Sequence, residues 1–167
     1  MAGGTDALIS PRRMNSSFMS AAIDLARDGM RANRGGPFGA VVVKEGQIVG
    51  RGCNQVTSTN DPTAHAEILA IREACQQLKT FSLAGCELYA SCEPCPMCLA
   101  AIYWARLERV YYGCPCAAAS VNFDDDFIRR ELLLPAASRS LSLQLLADEQ
   151  AAALFAEWRA KADKVAY

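Results

Sequence analysis

His65-Ala66-Glu67 and, further along, Pro94-Cys95-Pro96-Met97-Cys98 gather the residue types that bind a borderline-soft metal and move protons. Imidazole nitrogen and thiolate sulfur are zinc donors, and His65, Cys95 and Cys98 offer three of them. Structural zinc is normally enclosed by four protein groups, whereas catalytic zinc keeps a position for water, so three donors favour an enzyme over a scaffold. Glu67 then remains as a carboxylate free for acid–base work. Two blander readings compete. A Cys-x-x-Cys pair can be a redox dithiol, but that reading gives no role to His-x-Glu at the start of another helix. Cys92, Cys95 and Cys98 run at three-residue spacing and with His65 could close a four-ligand structural site. Cys92 follows the apparent strand 87–91 and precedes Glu93-Pro94, so we place it before the helix that carries the other two thiols.

The elements needed to position these groups can be traced along the chain. Residues 1–14 mix Gly, Ser, Pro and Arg without periodicity and read as a flexible leader. Phe18, Ala22, Leu25 and Ala26 share one helical face, capped by Asn15 or Ser16 and ended by Gly35-Gly36-Pro37. Residues 40–44 and 47–54 form a hairpin about Glu45-Gly46, and the Val41-Val42-Val43 run predicts burial on both faces. A helix over 62–78, with Asp61 as cap, brings His65 and Glu67 into its first turns. A strand at 87–91, a helix from Pro96 to about Arg106 and a strand at 109–113 complete a β-α-β-α-β core. Cys95 and Cys98 share a face at the start of their helix, whose dipole favours thiolates. A helix over 124–133, a strand over 141–146 and a helix over 148–164 follow. The intervening helix requires a crossover, so strands 4 and 5 are expected to be parallel. The expected fold class is α/β: a three-layer α/β/α sandwich around a mixed five-stranded sheet.

Composition bounds the function. The 167 residues, 51% hydrophobic and 21% charged, suit one domain over 15–167 able to bury around 70% of its unfolded surface. Net charge is −1 and the pI near 5.8, which leaves no basic face for phosphate backbone, so nucleic acid is not the expected partner. Apolar stretches are too short to span a bilayer, for which about 20 residues are needed, so no membrane role is expected. Eight cysteines would suggest disulfides in a short secreted protein, but the sequence shows no charged-then-apolar leader and is longer than typical stapled mini-domains, so we expect a reduced, cytoplasmic protein. Cys53, Cys75, Cys86, Cys114 and Cys116 read as small buried hydrophobes, with Cys114-Pro115-Cys116 the pair most open to oxidation.

The chemistry follows from charge. Zinc held by two thiolates and a neutral imidazole is close to neutral overall and lowers the pKa of a water toward about 7. Glu67 can take a proton from that water, pass it to a ring nitrogen and protonate the departing amine, so an aminated heterocycle loses ammonia. This H-x-E and P-C-x-x-C arrangement resembles the zinc-dependent cytidine deaminase superfamily. Within it the chain is similar to the bacterial guanine deaminases. That similarity rests on Gly36-Pro37-Phe38-Gly39-Ala40, Asn54, residues 60–67, 92–98 and 102–106, Phe123-Asp124-Asp125-Asp126-Phe127-Ile128 and the terminal Tyr167.

The resemblance implies deamination of guanine to xanthine with one zinc per subunit. Phe38 and Trp104 would contact the flat ring, Asn54 would donate to an acceptor, and Asp125 would accept from guanine's ring N–H and amino group. The backbone N–H groups of Ala66 and Cys95 would hold the substrate, and Glu131 would be a second proton shuttle. The resemblance also implies a homodimer that exchanges its C-terminal segments, with Tyr167 closing the partner's pocket. This chain departs from the family in its longer leader and in ending Lys164-Val165-Ala166-Tyr167, with no charge directly before the tyrosine. Three other readings stay open: a tRNA-specific adenosine deaminase, a deaminase of another small ring such as cytosine or an amino-triazine, and a non-catalytic zinc module.

Overall fold

Val41, Val42 and Val43 are all buried, and the strand they occupy organises the molecule. A computed structural model describes residues 16–118, 123 and 125–166. The leader 1–14, the alternative cap Asn15, Asp124 and Tyr167 lie outside the described residues. Helix α1 (Ser16–Arg31) leads into β1 (Gly39–Lys44) and β2 (Gln47–Cys53), an antiparallel hairpin that turns through Glu45 and Gly46, both at positive φ. A short α2 (Val56–Thr59), which the sequence reading did not anticipate, precedes α3 (Ala66–Leu78), β3 (Cys86–Ala90), α4 (Pro96–Trp104) and β4 (Arg109–Tyr112). Helices α5 (Asp125–Leu133) and α6 (Glu149–Ala160) close the described chain.

The sheet is mixed and runs β2-β1-β3-β4, with β1 antiparallel to both neighbours and β3 parallel to β4. Side chains alternate across a strand. Ala40 and Val42 of β1 therefore pack with Leu88, Ile102 and the buried alanines of α3, while Val41, Val43 and Tyr89 pack under Phe18, Met19 and Leu25 of α1. Each fully buried aliphatic side chain of this kind contributes roughly 1.5–3 kcal/mol.

The expected fifth strand is not formed within this chain by the described residues. Among the described residues the sheet has four strands, and 141–148 carries no ladder partner. Its apolar residues explain why: Leu145 and Leu146 are each 93% exposed, so among the described residues nothing buries a face of that segment. The alternation that reads as a strand is present, but a strand forms only beside a partner.

Candidate metal centre and active site

Helix α3 starts four residues later than its composition suggests. Asp61 Oδ1 accepts from Thr63 N at 2.8 Å and from Thr63 Oγ1 at 2.6 Å, closing a turn that delays the helix. Those bonds also hold the Asp61 carboxyl below the usual carboxylate range. His65 consequently occupies the N-cap in an extended conformation and Glu67 the first turn. Helix α3 sits hard against β2, because a Cβ on Gly52 would lie 2.0 Å from the Ala66 carbonyl oxygen. Only glycine permits that approach.

Cys95 caps α4, with Pro96 at the first helical position where a missing N–H costs nothing. Its Sγ accepts from Cys98 N at 3.5 Å. His65 Nδ1 lies 3.5 Å from Cys95 Sγ and 3.5 Å from Cys98 Sγ, and the three donor atoms all fall within 4.8 Å of one another. Tetrahedral zinc with Zn–N near 2.0–2.1 Å and Zn–S near 2.3 Å sets nitrogen and sulfur roughly 3.6 Å apart, so the spacing fits the ion.

Charge supports the same fit. The Cys98 thiol hydrogen-bonded to Cys95 is the main influence holding Cys95 down to about 4, helped by His65 and the Cys98 backbone N–H. The same partner, together with burial, pushes Cys98 up. Two adjacent sulfurs therefore accommodate one negative charge, and a divalent cation is what lets both ionise. His65 is raised by its bond to Cys95. Glu67, 8% exposed, is raised chiefly by burial and also by the Cys95 charge. A carboxyl whose neutral form is accessible is suited to giving as well as taking a proton.

These groups open into a cavity of about 440 Å³. His65, Glu67 and Cys95 form one wall, and Phe38, Asn54 and Asp125 line the rest. Phe38 meets Phe123 edge-on with centroids 4.7 Å apart. Asn54 Oδ1 accepts from Gly36 N and Val56 N, both at 3.2 Å, which commits the oxygen and leaves the NH₂ as the end able to donate to a ligand. Gly35 makes this possible, since a Cβ there would sit 2.3 Å from that oxygen. Ala66, buried at the first position of α3, presents one of the backbone N–H groups that a helix start leaves without an intrahelical acceptor.

Two expected contacts are not made within this chain. Trp104 is 62% exposed and lines a second hollow with Met97, Ala101 and Val165 instead of the metal cleft. It lies six residues beyond Cys98, about 9 Å along the helix axis. Glu131 stands about as far beyond Asp125 on α5. Its Oε2 accepts from Ser140 N and Ser140 Oγ, each at 2.8 Å, and it does not line the cavity. Cys92 also lies outside the donor group, with Sγ 3.8 Å from the Pro115 carbonyl oxygen, so the four-ligand alternative does not form.

Arg129 escaped the sequence reading. It donates from Nη2 to the Pro94 carbonyl at 3.1 Å and lies 3.7 Å from Asp125 Oδ2, tying α5 to the loop that carries Cys95. The i,i+4 spacing of Asp125 and Arg129 was the available signal.

Residues 12–114 match the cytidine and deoxycytidylate deaminase zinc-binding region. The chain belongs to this deaminase family. It is 47% identical to guanine deaminase of Bacillus subtilis over 92% of this chain and 99% of that protein. The crystal structure of the same protein superimposes with a TM-score of 0.88, covering 93% of this chain and 99% of the other. A tRNA-specific adenosine deaminase of Aquifex aeolicus is 52% identical, but over only 46% of this chain and 51% of its own length. The shared part with that deaminase is thus local, whereas the likeness to guanine deaminase runs nearly end to end.

Proposed function

We propose that this protein is a zinc-dependent guanine deaminase, hydrolysing guanine to xanthine and ammonia. The observation that carries the reading is Asp125 lining the same cavity as Glu67 and two of the three zinc donors, His65 and Cys95, with Cys98 buried behind them. A carboxylate accepts from two adjacent donors, and guanine's ring N–H and amino group present such a pair. Guanine deaminase of Bacillus subtilis, alike over nearly the whole chain, supports the assignment.

His65, Cys95 and Cys98 would hold the metal. Zinc bound there would supply a water of lowered pKa and Lewis acidity. Glu67 takes a proton from water at its carboxylate, delivers it to a ring nitrogen and then protonates the departing amine. Phe38 holds the ring plane, the Asn54 NH₂ donates to a ring acceptor, and Asp125 fixes which edge enters. Burial around Glu67 keeps its proton from exchanging freely with bulk water.

We further propose that 15–167 is one catalytic domain that works as a homodimer exchanging C-terminal segments. β4 is an edge of the sheet, and Leu141, Leu143 and Leu145 repeat with the period of a strand. Segment 141–146 of a second copy, laid parallel to β4, would complete five strands of a three-layer sandwich. It would bring Tyr167 toward the partner's cleft as a lid. All eight cysteines are free, which suits the reducing cytoplasm.

An ammonia-release screen of free bases, nucleosides, amino-triazines and an anticodon stem-loop tests the substrate. Guanine should be turned over with the highest kcat/KM. Preference for the stem-loop, falling steeply with salt, would replace this reading with tRNA adenosine deamination.

A further inference from the structure

The wall of the cleft carries thiols that the zinc triad does not use. The β3–β4 register ends with Ala90 opposite Tyr112. Beyond it Gly113 N donates to Ala90 O at 3.0 Å and Glu93 N to Cys114 O at 2.9 Å, so the ladder runs on and sets Cys92 beside Cys114. Neighbouring strands lie about 4.7–4.9 Å apart. That separation is inside the roughly 4.4–6.8 Å between Cα atoms that a disulfide bridges. Each thiol reaches across to the other's strand: Cys92 Sγ lies 3.8 Å from Pro115 O and Cys114 Sγ 3.4 Å from Ser91 O, the first thiol buried and the second half-buried. Cys92 also lines the metal cleft, as does Cys116, whose N donates to a Glu93 carboxylate oxygen at 3.1 Å.

We propose that Cys92 and Cys114 form a reversible oxidation site that takes hydrogen peroxide and closes a disulfide across the ends of β3 and β4. The more accessible Cys114 sulfur attacks one peroxide oxygen; the O–O bond breaks, the Cys114 proton leaves with the other oxygen as water, and Cys114 becomes a sulfenic acid. The Cys92 sulfur then attacks the Cys114 sulfur. The S–S bond forms, the S–O bond breaks, and the hydroxyl leaves as a second water with the Cys92 proton. The two thiols lose two electrons and the peroxide gains them. Burial, the largest influence, pushes the Cys92 thiol up to about 12, so Cys92 stays protonated and the first oxidation falls to the more accessible Cys114.

Pairing is specific for a geometric reason. Cys114 Sγ reaches back to within 3.4 Å of the Ser91 carbonyl oxygen, toward β3, whereas Cys116 is turned to the cleft by its bond to Glu93. The bond would also be felt in the cleft. Drawing two sulfurs from contact to about 2.05 Å pulls the 114–116 turn, and with it Cys116 and Glu93, next to the loop that carries Cys95. Displacements near 1 Å at a site cost up to about 10²-fold, so roughly a tenfold loss of kcat/KM is expected.

Reduced, zinc-loaded full-length protein is treated with hydrogen peroxide, followed by peptide mapping, zinc content and guanine turnover. The expected result is a linked Cys92–Cys114 peptide with zinc retained, roughly tenfold lower kcat/KM, and reversal of both by dithiothreitol. Cys114→Ser should show neither change. A Cys114–Cys116 link, a Cys95–Cys98 link with loss of zinc, or no link at all would overturn the proposal. Only the turnover arm rests on the guanine reading; the mapping decides the site even if guanine is not the substrate. A linked protein with unchanged turnover would remove the coupling to the cleft.

Discussion

Around the metal triad, apolar side chains are packed away: Val41, Val42 and Leu88 are fully buried, and both faces of β1 meet helices. Beyond α5 the pattern inverts. Leu141 and Leu143 are 70% and 66% exposed, and Leu154 and Phe155 on α6 are 62% and 68% exposed. Both regions carry apolar periodicity, but only the first finds its partners inside one chain. Exposed apolar area on this scale marks an interface in a soluble protein. The contrast teaches that the centre proposed to handle metal and proton is built by 16–113 and Asp125, while beyond α5 the described residues leave apolar side chains uncovered, the face that the proposed dimer would bury.

The sharpest break in that comparison is the loss of a zinc donor. Cys98→Ala should bind less than one zinc per chain and bring guanine turnover to the uncatalysed background, checked by metal analysis and ammonia release. Removal of 141–167 comes next. The shortened chain should still bind zinc, sediment as a monomer and lose at least about 10²-fold in kcat/KM, because the cleft is left open to water. Retained dimerisation would show that the arm is not the interface.

Legibility in the sequence divides along the same line. His65, Glu67, Cys95 and Cys98 were readable because three donors and a carboxylate at those spacings have few other uses, and the strands of the hairpin because alternation and a Glu-Gly turn are local signals. The start of α3 was misread, since Asp61 caps a turn at Thr63 and not the helix. The setting of Trp104 was not readable, since α4 is apolar around its whole circumference and composition cannot say which side meets the sheet. Arg129 and the Cys92–Cys114 pair depend on where α5 and the end of β4 arrive, which is tertiary information. Segment 141–146 has a strand's pattern without a strand's partner among the described residues, and a pattern alone does not say whether a partner exists.

Three smaller effects sharpen the comparison. Gly52→Ala should cost about 1–3 kcal/mol in urea unfolding, because its methyl group meets the Ala66 carbonyl and drives α3 from β2. Leu145→Glu, on a residue 93% exposed in one chain, should leave zinc content unchanged and shift the sedimentation equilibrium toward monomer. Smallest is Arg129→Met, which frees the Asp125 carboxylate and the Pro94 carbonyl. The KM for guanine should rise about 3–10-fold with kcat nearly unchanged, the scale of roughly 1 kcal/mol for one hydrogen bond. Arg129→Lys should restore part of it.

The central claim is that Glu67 moves the proton while His65, Cys95 and Cys98 hold the metal. Steady-state conversion of guanine to xanthine by the wild type and by Glu67→Gln, with zinc measured in the same samples, tests it most directly. The account predicts one zinc per chain in both proteins and a kcat at least about 10²-fold lower in the variant. A fully metallated Glu67→Gln protein that makes xanthine at the wild-type rate would contradict it.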